Sequence, residues 1–160
     1  MRTIWPRQLF VACVTLLLTP AATSADTRYE EKIEYYDLGR DITSTGAIWQ
    51  AIRHRGPGRK VGGNRRNSSV VGTARSQIKR NYRFAKGRNG LCSLTELNID
   101  LKVTITLPKW RWQHDKPRKL KDYFQCVLNT VTKHENRHAA IWRETVEEMT
   151  DTVNRRMTNV

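Results

Sequence analysis

Glu96-Leu97-Asn98-Ile99-Asp100-Leu101-Lys102-Val103-Thr104-Ile105-Thr106-Leu107 puts an apolar side chain at every odd position and a polar one at every even position. Successive side chains of an extended chain point to opposite faces, so this stretch is a strand with one face on a core and one in water. Pro108 ends it. Downstream, Leu120 to Met157 contains neither Gly nor Pro and repeats its apolar residues at helical spacing. Taken in alternating steps of four and three, the inward stripe runs Leu120, Phe124, Val127, Val131, His134, His138, Ile141 and Thr145. Some 38 residues is long for one helix in a globular domain, and a break after Trp142 would shorten it. One long strand and one long helix predict an α+β fold, with a small antiparallel sheet packed against the C-terminal helix.

The remaining elements are shorter. Lys32 to Leu38 reads as a first strand rich in β-formers. Thr43 or Ser44 caps a helix carrying Ile48, Trp49, Ala51 and Ile52 on one face, and Arg55-Gly56-Pro57 stops it. Gly56 to Ala74 is a loop of Gly, Arg, Asn and Ser. Ser76 to Phe84 follows as a strand with Ile78, Tyr82 and Phe84 on one parity and Lys79, Asn81 and Arg83 on the other.

Met1 to Ala25 has the three parts of a secretory signal. Arg2 and Arg7 give a positive start, Leu9 to Leu18 is almost wholly apolar, and Thr23-Ser24-Ala25 offers small residues for cleavage. The apolar run is too short to span a bilayer. Residues 26–160 then form a single exported domain, periplasmic or extracellular. Cleavage removes Cys13 and leaves Cys92 and Cys126, which in an oxidising compartment are expected to form a disulfide.

The whole chain carries 29 Lys and Arg against 15 Asp and Glu, a formal charge of +14 that falls to +12 without the leader. Twelve of the cations lie between Arg53 and Arg88, a stretch without Asp or Glu inside the basic region 53–90. Such a surface attracts anionic polymers, although no nucleic-acid-binding module is visible. A Gly-rich phosphate loop is also absent, which removes support for nucleotide chemistry.

The chemistry is concentrated in His134-Glu135-Asn136-Arg137-His138, an H-E-x-x-H pentad on the long helix. Residues four apart stack one turn above each other, so both imidazoles can hold one metal ion. Glu135 lies about 100° round the helix, where it can reach a water activated by that metal and act as general base. Chance placement of these residues gives the pentad in about half a percent of chains of this composition. A further ligand is not fixed by spacing. A His six residues after the second would stand at Glu144, which lies about 120° and 9 Å from His138 on a straight helix. His114, Asp115, His54 and Tyr36 are the upstream candidates.

Several stretches together resemble a bacterial family of uncharacterised domains described as predicted secreted zinc-dependent proteases. They are Tyr35-Tyr36-Asp37-Leu38-Gly39, Arg55-Gly56-Pro57, Cys92 before the long strand, Leu107-Pro108-Lys109-Trp110 and the pentad. The resemblance covers most of residues 33 to 150. It implies zinc-binding His134 and His138 with catalytic Glu135. Where the family often has Gly before the second His, this chain has Arg137, a cation beside the site. The expected activity is zinc-dependent hydrolysis of peptide bonds in a peptide or protein substrate. The alternative is a non-catalytic envelope protein that binds anionic polymers through residues 53–88, with Zn²⁺ structural or absent.

Overall fold

The computed structural model describes residues 24–57, 70–86, 90–112 and 116–158. Five elements follow in the order β1 (Ser24–Asp37), α1 (Thr45–Arg55), β2 (Thr73–Lys86), β3 (Cys92–Lys109) and α2 (Arg118–Thr158). The expected leader lies outside the described residues, except that Ser24 and Ala25 already belong to β1. Most of the Gly56–Ala74 loop, at residues 58–69, lies outside them too, as do His114 and Asp115. No helix among the described residues is long and apolar enough to cross a membrane.

The α+β class holds, and the sheet has three strands in the order β1-β3-β2. Only the β2–β3 pair is antiparallel; β1 runs parallel to β3, from Ser24 opposite Glu96 to Asp37 opposite Lys109. The sheet is therefore mixed rather than antiparallel. Parallel neighbours need a crossover connection, and here α1 and β2 both lie between β1 and β3 in the chain. Alternation along β3 is blind to that direction, because it reports only which face each side chain takes.

On the α2 side of the sheet, Ile99, Leu101, Val103, Ile105 and Leu107 are buried against Ala139 and Val146. The opposite face is solvated and carries cross-strand pairs such as Lys102 Nζ–Glu30 at 2.6 Å and Arg83 Nε–Glu96 at 3.2 Å. A second core joins α1 to the start of α2 through Leu38, Ile42, Ile48, Ile52, Trp110, Leu120 and Phe124. Ser44 caps α1, its hydroxyl accepting from the Ala47 N–H at 3.1 Å. At the other end the Gly56 N–H donates to the Ile52 carbonyl at 2.8 Å.

Helix α2 is unbroken over 41 residues, without the break allowed after Trp142. Its sheet-facing stripe is Leu120, Phe124, Leu128, Val131, Glu135, Ala139, Trp142, Val146 and Thr150, all buried or half-buried. The stripe expected from alternating steps of four and three has period 3.5, whereas a straight helix turns every 3.6 residues. The mismatch is about 20° per heptad. Over two heptads the drift carries His134 about 40° to the solvent side of Leu120. The buried face is centred on the opposite side, through Leu128, Val131 and Glu135, so His134, Ile141 and Thr145 stand in solvent.

The C-terminal half of α2 is pinned to the start of β1. Asn154 clamps Ala25 from both sides, accepting from its N–H at 2.7 Å and donating to its carbonyl at 3.1 Å. The hydroxyls of Thr27 and Thr150 meet at 2.6 Å, and the Arg143 guanidinium lies 4.6 Å from the Tyr29 ring centre. Helix α2 thus runs antiparallel to β3.

Candidate metal centre

Helical rise places His134 and His138 one turn apart on α2. Both rings are exposed, contrary to the inward position expected, and they converge. Their Nε2 atoms are 3.1 Å apart, with ring centres at 4.7 Å and planes at 85°. Two imidazole nitrogens on one tetrahedral Zn²⁺, each about 2.1 Å from it, would stand roughly 3.4 Å apart. The donor pair therefore fits a zinc ion with only a small adjustment. Trp142, one turn beyond His138, stacks on it with ring centres 6.2 Å apart and planes at 30°. Because Trp142 is itself packed against the β3 core, it restrains the His138 ring.

Glu135 takes the other side of the pentad. Its residue is 6% exposed, facing the sheet, and among the described residues nothing donates to its carboxylate. Its neighbour is Gly72, just before β2. A Cβ added there would meet Val131 Cγ1 at 2.5 Å, with Glu135 Cγ and the Thr106 carbonyl both at 3.2 Å. Absence of a side chain at 72 is what lets α2 seat Glu135 on the sheet. Tyr36 fixes this approach from below, its hydroxyl donating to the Val71 carbonyl at 2.6 Å. Burial raises the Tyr36 phenol above its ordinary value, so it stays a protonated donor.

The structure brings together His134 and His138, with Glu135 adjoining them on the helix. It does not bring in a further ligand: no cluster of three or more His, Cys, Asp or Glu suited to a metal occurs among the described residues. Glu144 is held 3.3 Å from Arg137 on the solvent side, and the unbroken helix keeps it away from His138. His54 sits exposed in the last turn of α1. The Tyr36 hydroxyl is committed to Val71. Gly72 and Trp142 were not singled out from sequence. Trp142 carried a signal in its spacing of four from His138, whereas Gly72 carried none.

The expected Cys92–Cys126 disulfide is not formed; both are exposed thiols. Topology explains why. Cys92 opens β3, whereas Cys126 precedes Glu135 on α2, beside the far end of that strand near Thr106. Fourteen residues of strand separate those ends, on the order of 45 Å, against the roughly 7 Å limit between bridged Cα atoms. A pair of cysteines signals a bridge only when the fold brings them close.

The profile of a family described as "Bacterial protein of unknown function (DUF922)" matches residues 33–159. No curated protein and no solved structure matches the chain. The chain belongs to the DUF922 family.

Proposed function

We propose that this DUF922 member is an exported zinc-dependent peptidase, acting in the periplasm or outside the cell. The observation that carries the reading is the 3.1 Å convergence of the His134 and His138 Nε2 atoms, next to a sheet-facing Glu135. Zinc, when bound, supplies a Lewis acid that polarises a peptide carbonyl and acidifies water. The chain does the rest. His134 and His138 hold the ion, with Trp142 restraining the second ring. Glu135 accepts a proton from the attacking water and passes it to the departing amide nitrogen, so that water is added across the C–N bond. The cations of the basic stretch 53–88 steer an acidic peptide towards the site.

Hydrolysis of a mixed peptide library by the purified chain tests this. Cleavage should stop with chelator and return with added zinc. Cleavage that persists in chelator, or none by zinc-loaded protein, contradicts it.

Strand β2 favours a second reading, a non-catalytic basic protein that binds anionic polymers. It carries Arg75, Lys79, Arg80, Arg83 and Lys86 and no Asp or Glu. Polyanion binding would weaken steeply with added salt and be indifferent to chelator.

A further inference from the structure

Because the C-terminal half of α2 is fastened over β1, it leaves the same face of β2 uncovered. Ile78, Tyr82 and Phe84 are 49%, 62% and 60% exposed, and Met149 on α2 is 46% exposed. Together with Arg80 and Leu97 they line a surface groove of about 660 Å³. Tyr82 and Phe84 meet edge to face at 5.5 Å. Met149 lies eleven residues beyond His138, about three turns plus 20°, so groove and histidine pair share one flank of α2.

Strand β2 also forms an edge of the sheet, and among the described residues nothing pairs with its outer side. The other face of β2 carries Arg75, Lys79 and Arg83. An incoming strand would therefore meet apolar side chains interrupted by Arg80 on one face and cations on the other, with the period of two that strands impose.

We propose that β2 and this flank of α2 dock an extended polypeptide segment in which bulky apolar and acidic side chains alternate. Its backbone adds to β2 as a fourth strand. The apolar side chains lie beside Ile78, Tyr82 and Phe84, and the acidic ones beside Arg75 and Lys79. The segment belongs to the substrate; for that word alone the proposal rests on the peptidase reading. Ile78 and Phe84 are six and twelve residues along from Gly72, which abuts Glu135, so docking occurs roughly 20–40 Å from the reacting bond. Charge disfavours a second copy as the occupant. The chain is strongly cationic, and two β2 edges would oppose five cations with five.

A fluorescent ten-residue peptide alternating Val and Glu, titrated into zinc-free protein, tests the proposal by polarisation. Saturable binding is expected, about tenfold weaker in Tyr82→Ala/Phe84→Ala and in Lys79→Glu, and weak for a Val–Lys peptide. All three replaced side chains are exposed, so the variants should melt with the wild type. Binding unchanged in both variants, or equal binding of the Val–Lys peptide, overturns it. So does protein that self-associates in sedimentation and is dispersed by Tyr82→Ala/Phe84→Ala, since the groove then belongs to a second copy. No zinc is present, so failure here leaves the metal centre standing, and loss of the metal centre leaves docking measurable.

Discussion

Glu135→Gln is expected to lower peptide turnover by about 10²- to 10⁴-fold while leaving bound zinc unchanged. The substitution keeps the size of the side chain, so packing against Gly72 and Val131 is preserved. What it removes is the proton acceptor, and an amide cannot replace a carboxylate in that role. His134 and His138 sit about 60–100° round the helix from Glu135, on its exposed side, and keep their convergence. The comparison needs turnover of a cleaved peptide and zinc content measured on the same preparation. Undiminished hydrolysis would contradict the role assigned to Glu135.

Phe124→Ala should cost about 3–5 kcal/mol of folding stability, a large part of the 5–15 kcal/mol typical of a domain. Phe124 is 2% exposed, with its ring edge to face with Trp110 at 5.6 Å and Trp112 at 6.2 Å. It lies where α1, β3's exit and the start of α2 meet, so truncation empties the joint that orients the front of the helix. Lys119→Ala, five residues away and exposed, should stay within about 0.5 kcal/mol. Denaturant unfolding of both variants decides the point; a Phe124→Ala loss below 1 kcal/mol would mean this cluster does not hold the helix.

Features with a local cause were legible in the sequence. Alternation from Leu97 to Leu107 gave β3 and its buried face, and Ser44 gave the start of α1. The pentad gave a pair of imidazoles one turn apart, and the pair is there. What escaped depends on long-range placement. The parallel β1–β3 pairing leaves no mark on either strand's alternation. The seven-residue count along α2 ran through Val127 where the buried face runs through Leu128, and its drift of about 40° over two heptads widened the gap, leaving His134 exposed and Glu135 buried. Here Leu128, Ala139 and Val146 carried the better stripe, at the cost of accepting a carboxylate on the inward face. Gly72 matters only because α2 crosses it, and the two cysteines fail to pair only because β3 is long.

Zinc content of the purified chain after dialysis, determined by elemental analysis beside His138→Ala, tests the metal centre most directly. His138 is exposed and its replacement leaves the core intact, so a difference between the two proteins reports on metal alone. About one zinc per chain, lost in the variant, is the result the convergent imidazoles predict. No zinc in either protein after reloading would contradict it, leaving a basic protein in which two histidines merely share a helix face.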